Sequence, residues 1–121
     1  MNWFAAGSFL AGTGVLLGAF GAHGLKSRLS PDLLAVFETA VRYQMYHGLA
    51  LLAVAWAATR WSSSLIGISG WMFVVGILVF SGSLYILALT GIRWLGAMTP
   101  LGGLLLILGW LLLTIGSLRD P

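Results

Sequence analysis

The sequence predicts an all-α integral membrane protein with four antiparallel transmembrane helices and an interfacial amphipathic helix between the first and second. Three observations carry this prediction. Of 121 residues, 60% are hydrophobic and only 7% are charged, against about 25% charged in an average soluble domain. Mean hydropathy is +1.01. Four apolar stretches are long enough to cross a bilayer, and lipid leaves helices as the economical way to satisfy backbone hydrogen bonds. A chain this short has too little interior to hide so many apolar side chains from water. The whole chain, 1–121, reads as one transmembrane four-helix domain.

The first helix is predicted over 3–22, about 20 residues and therefore about 30 Å, the thickness of a hydrocarbon core. It has no positive leader and exceeds the 7–15 apolar residues of a signal peptide, so it reads as a mature helix. Gly7, Ala11, Gly14 and Gly18 recur along one side at three- or four-residue steps. Lipid offers no hydrophobic force between helices, so small residues that permit close backbone approach drive packing.

Ser30-Pro31-Asp32 is a helix-start signal: an N-capping serine, a proline at the first helical position and an acid in the first turn. Leu33, Leu34, Phe37, Ala40 and Val41 then recur with helical spacing. Glu38 and Arg42 stand four apart, as an ion pair on a helix surface would. The amphipathic segment is therefore predicted over 31–42, running into a second membrane helix over 43–59 with a bend near Gly48.

Short connections follow, which make sequential helices antiparallel neighbours. The third helix is predicted over 65–89. The fourth is predicted over 101–118, entered through Pro100 with Thr99 as its cap. Gly102, Gly109 and Gly116 recur every seven residues along it. These glycines predict packing within one bundle or a seam between copies. Trp3, Trp61, Trp71 and Trp94 sit near helix ends, as interfacial aromatics do. Trp110 lies deep in the fourth helix and reads as packed.

Folding the chain up and down gathers His23, Tyr43, Gln44, Tyr46, His47, Ser81, Ser83, Tyr85, Arg93 and Thr99 at one end. His23 and His47 are expected at similar depth there. Ionisable groups in a membrane are costly and face partners inside the protein. Three readings of the histidines compete: hydrogen-bonded structural ties, a proton, ion or small-molecule site, and haem or metal ligation. Glu38 makes a poor third ligand, because nine residues from His47 places it on the opposite side of the helix. No zinc-type spacing exists, so neither a metal nor any other cofactor is expected. A serine–histidine pair would lack a carboxylate to orient the imidazole. Ser81 and Ser83 therefore read as links between helices, no catalytic residue is assigned, and enzymatic activity is not expected.

The net charge of +3 comes from six Lys and Arg spread singly along the chain. Nucleic-acid binding needs a concentrated basic footprint, so no nucleic-acid partner is expected. Lys26, Arg28, Arg42 and Arg93 face Arg60 and Arg119 across the membrane. Four against two places the polar end in the cytoplasm; with Arg42 and Arg93 counted as network partners, two face two and charge sets no orientation. The chain contains no cysteine, which excludes disulfides and thiolate chemistry.

The blocks Gly18-Ala19-Phe20-Gly21-Ala22-His23, Tyr43-Gln44-Met45-Tyr46-His47, Phe80-Ser81-Gly82-Ser83-Leu84-Tyr85 and Thr99-Pro100-Leu101-Gly102-Gly103 carry a resemblance. In that order, with Gly109-Trp110 beyond them, they resemble the YgdD-like family of small bacterial inner-membrane proteins of unknown function, which has mitochondrial relatives. The resemblance spans essentially the whole chain. It implies a four-helix membrane protein and brings no substrate, cofactor or catalytic residue. Some relatives carry an acid where this chain has Arg42, so a charge there is not implied for the family as a whole. The function expected is that of a structural or accessory component, packed in the lipid bilayer against a membrane-protein partner or further copies of itself. The alternative is a small transporter or channel-like protein with a polar vestibule at one membrane face.

Overall fold

Helix α1 begins where the Asn2 side chain accepts a hydrogen bond from the Ala5 amide at 2.9 Å. In the computed structural model, which describes residues 1–119, four long helices follow in order, and no strand occurs among those residues. Helix α1 covers Trp3–Phe20 and continues without interruption into a π-helical turn, Gly21–Leu25. Helix α2 covers Pro31–Arg60, α3 covers Ser64–Thr90 and α4 covers Thr99–Arg119, the last preceded by a 3-10 turn at Arg93–Ala97. Three helical segments are long and apolar enough to cross a membrane: Trp3–Leu25, Ser64–Thr90 and Arg93–Arg119. Helix α2 is not among them, since Asp32, Glu38 and Arg42 charge its beginning while Gln44 and His47 dilute the stretch that follows.

The helix-start signal acts as its chemistry requires. The Ser30 hydroxyl accepts from the Leu33 amide at 3.3 Å, satisfying one of the amides that a helix start leaves without a partner. The two segments expected at 31–42 and 43–59 form one helix, with nothing breaking α2 between them. At the far end of α3, Gly91 takes φ +74°, the left-handed conformation that ends helices and that glycine adopts without penalty. Thr99 is the first residue of α4 rather than its cap, and its hydroxyl is engaged by Ser83 of α3.

Packing follows the chain order: α1 lies on α2, α2 on α3, and α3 on α4, with only slight contact between α2 and α4. Glycine sets the close approaches. Gly7 and Gly48 meet backbone to backbone, so a Cβ on Gly7 would stand 2.6 Å from the Gly48 carbonyl. Further along, Gly14 meets Met45, Gly18 meets Val41 and Gly21 meets Phe37. On α4, Gly102 receives the Phe80 backbone, Gly109 the Phe73 ring and Gly116 the Ile66 side chain. At each of Gly7, Gly14, Gly18, Gly102, Gly109 and Gly116 an added Cβ would meet an atom of a neighbouring helix. The buried core beneath them includes Leu51, Val54, Ile66, Phe73 and Leu106.

Candidate functional site

Hydrogen bonds between helices concentrate on α2, one face of which carries Gln44 and His47. Gln44 is 4% exposed and makes three such bonds. Its amide nitrogen donates to the Leu10 carbonyl and to the Thr13 hydroxyl on α1, both at 2.9 Å. Its amide oxygen accepts from the Tyr85 hydroxyl on α3 at 2.6 Å. One side chain thus ties three helices, using both the donor and the acceptor capacity of an amide.

His47 is 5% exposed and is held at both ring nitrogens. Trp110 of α4 donates its indole N–H to Nε2 at 3.1 Å. An indole can only donate, so Nε2 accepts and the ring hydrogen sits on Nδ1. Nδ1 then donates to the Tyr43 carbonyl at 2.8 Å. This arrangement fixes a neutral imidazole in one tautomer. Tyr43, Phe73 and Trp110 surround the ring, their centroids 6.1, 5.6 and 5.8 Å from it. With both nitrogens engaged, His47 has no lone pair left for an iron or zinc ion. Among the described residues, no group of three or more histidine, cysteine or acidic side chains could hold a metal.

The serines join the remaining helix pairs. Ser81 donates to the Ala40 carbonyl of α2 at 2.7 Å. Ser83 shares a 2.8 Å bond with Thr99 of α4 while donating to the Phe80 carbonyl at 2.9 Å. Together with Gln44, Tyr85 and His47, these residues form a set of ties that reaches all four helices and extends, from Thr99 to Trp110 on α4, over about 16 Å of the bundle.

Other residues expected at this end stand apart from the ties. His23 is exposed on the π-helical turn and Arg93 is exposed on the 3-10 turn. Tyr46 is 55% exposed and touches the Tyr43 ring, 5.8 Å between centroids. The two histidines do not share a depth. Gly21 lies against Phe37, whereas Gly48, beside His47, meets Gly7 and Ala11. His47 is ten residues after Phe37 and therefore about 15 Å further along α2. The physical reason is the unbroken α2: a helix that starts at Pro31 has already passed α1 for three turns before reaching His47.

Two further expectations change. Glu38 and Arg42 do not pair; the Arg42 guanidinium instead donates to the Thr39 hydroxyl at 3.3 Å. Trp110, expected to be packed, is 45% exposed, and its indole N–H is the donor to His47. Sequence reasoning missed Thr13 and the Leu10 carbonyl altogether. For Trp110 a signal existed: an indole N–H deep in an apolar helix needs an acceptor, and His47 is the only histidine in α2.

Residues 17–103 match a family described as a protein of unknown function, DUF423. The chain belongs to the DUF423 family. It is 55% identical over 102 residues to the UPF0382 membrane protein of Staphylococcus saprophyticus, covering 84% of each chain. It is 53% identical over 102 residues to that of Staphylococcus haemolyticus, covering 84% of this chain and 83% of the relative. It is 45% identical over 104 residues to the UPF0382 membrane protein YwdK of Bacillus subtilis, covering 85% of each. No solved structure matches it. This DUF423 chain is a small membrane protein of unknown activity. The family match contains Gln44, His47, Ser81, Ser83, Tyr85 and Thr99, while Thr13 and Trp110 fall outside it.

Proposed function

We propose that this protein is a structural or accessory component of a membrane assembly, in which the ties around Gln44 and His47 lock a four-helix bundle. One observation carries the reading: among the described residues, no buried side-chain nitrogen or oxygen lacks a hydrogen-bond partner. A site for substrate keeps polar groups available, whereas these are spent on neighbouring helices. The outer helices supply the surface for assembly. Phe4, Phe9 and Leu16 on α1, and Leu104, Ile107 and Leu111 on α4, are exposed. Native mass spectrometry after gentle detergent extraction tests the reading. Self-association or a co-purifying membrane protein is expected, and a strictly monomeric chain without partner would overturn it.

The proposal includes four antiparallel spans, with 43–59 of α2 as the second. Residues 43–59 contain no Lys, Arg, Asp or Glu, and the residue pairings along α1 and α2 run in opposite directions. The chain has no native cysteine, so single cysteines at Ser27, Ser64 and Ala97, all exposed, report the sidedness. Four spans place Ser27→Cys and Ala97→Cys on one side and Ser64→Cys on the other. Three spans would place Ser27→Cys and Ser64→Cys together. The resemblance to YgdD-like proteins supports a bacterial inner membrane as the location and includes mitochondrial relatives.

A groove of about 370 Å³ between α2 and α4, lined by Tyr43, His47, Phe80, Leu106 and Trp110 among others, favours a second reading as a transporter vestibule. His23, Ser81 and Tyr85 do not line it. Flux through liposomes that His47→Ala abolishes would establish that reading over the structural one.

A further inference from the structure

A different groove lies between the end of α1 and the first half of α2. It has a volume of about 300 Å³ and is lined by Gly18, Gly21, Phe37, Glu38, Val41 and Arg42. Its floor is apolar, with Gly21 against the Phe37 ring and Gly18 against Val41. Its rim carries one acid and one base, both exposed. Residues four apart on a helix have Cβ atoms about 5–6 Å from each other, close enough for a glutamate and an arginine to pair. These two do not. Arg42 turns to Thr39, and the Glu38 carboxylate makes neither an ion pair nor a hydrogen bond among the described residues.

The rim also lies at a particular depth. Charged residues of α2 fall at Asp32, Glu38 and Arg42, after which none occurs until Arg60. With 43–59 spanning the bilayer, as proposed above, Glu38 and Arg42 fall at the level of the headgroup layer, where phospholipid phosphates lie. We propose that this groove is a binding site for a phospholipid whose headgroup ends in a primary ammonium, of the phosphoethanolamine type. Arg42 takes the phosphate, Glu38 takes the ammonium, and Gly18 and Val41, partly exposed above the buried Phe37, receive the upper part of an acyl chain.

The chemistry selects this headgroup over its competitors. A guanidinium presents a fork of donors that suits phosphate oxygens. A primary ammonium supplies three donors to a carboxylate, whereas a quaternary ammonium supplies none and is favoured by an aromatic cage. Phe37 is the one aromatic residue lining the groove, and it is 1% exposed with its ring against Gly21. A headgroup with a phosphate and no cation would leave Glu38 opposed by negative charge. Lys26 and Arg28, exposed in the neighbouring loop, attract any anionic lipid and supply no such discrimination. Selection of this kind requires the membrane location of the family and no protein partner.

The test uses the full chain, delipidated in mild detergent and offered phosphatidylethanolamine, phosphatidylcholine or phosphatidylglycerol with identical acyl chains. Native mass spectrometry reads the retained lipid. The wild type is expected to retain phosphatidylethanolamine about two- to fivefold better than phosphatidylcholine, the scale of a solvent-exposed charge pair. Glu38→Gln removes that preference, and Arg42→Gln lowers retention of all three lipids. Lys26→Gln with Arg28→Gln keeps the preference, and circular dichroism confirms that every variant remains helical. Equal retention of the amine and choline lipids, or a preference that survives Glu38→Gln, overturns the proposal. So does strongest retention of phosphatidylglycerol, which would mean nonspecific attraction to the basic loop.

Discussion

The ties around Gln44 and His47 begin about 10 Å along α2 from the level of Phe37 and Gly21, beside the turn that carries His23, and different surroundings govern the two. Among the ties, an unpaired donor or acceptor has no water to turn to, so each polar side chain is bound to a neighbouring helix. On the π-helical turn and on the 3-10 turn before α4, His23 and Arg93 are exposed and need no partner within the protein. The same residue type is a structural tie in one place and a surface group in the other. Depth, more than chemistry, decides which.

Substitutions can sharpen or break this contrast when unfolding is followed by circular dichroism in mixed detergent micelles. The largest effect is expected at Gly102→Leu, because any Cβ there meets the Phe80 backbone, and overpacking of this kind costs about 1–3 kcal/mol. Gln44→Leu comes next at about 2 kcal/mol, since it strands the Tyr85 hydroxyl and removes two bonds to α1. Trp110→Phe should cost about 0.6 kcal/mol, the average for a hydrogen bond between membrane helices. A cycle with His47→Phe should recover that value as coupling. His23→Ala and Arg93→Ala should change stability by less than about 0.5 kcal/mol. A loss at His23 matching that at Gln44 would erase the distinction between the two regions.

How much of this was legible depended on whether a signal was local. The start of α2 at Ser30-Pro31-Asp32 could be read because a cap and a proline act within one turn. The glycine seams could be read because spacing alone puts Gly102, Gly109 and Gly116 on one side of α4. The alignment of α1 with α2 could not, because it depends on where α2 begins relative to α1 and on how far it continues unbroken. The partner of Gln44 was hidden for a related reason. In α1, apolar residues face lipid as readily as protein, so no polar stripe marks the side turned to α2. The Leu10 carbonyl, a backbone group, leaves no trace in the sequence at all. The failure of Glu38 and Arg42 to pair was equally hidden, since their spacing alone favours an ion pair.

The unbroken run of α2 has a mechanical consequence. Its 30 residues make a rod of about 45 Å, while a hydrocarbon layer is about 30 Å thick. With 43–59 in the bilayer as proposed, roughly 15 Å of the rod stands beyond the apolar layer. Any change in bilayer thickness that alters its tilt therefore moves the Glu38 and Arg42 end together with the end of α1, which is packed on it through Gly18 on Val41 and Gly21 on Phe37. At its other end the same pair of helices meets backbone to backbone at Gly7 and Gly48, so a tilt of α2 is carried to α1 along the whole of their contact.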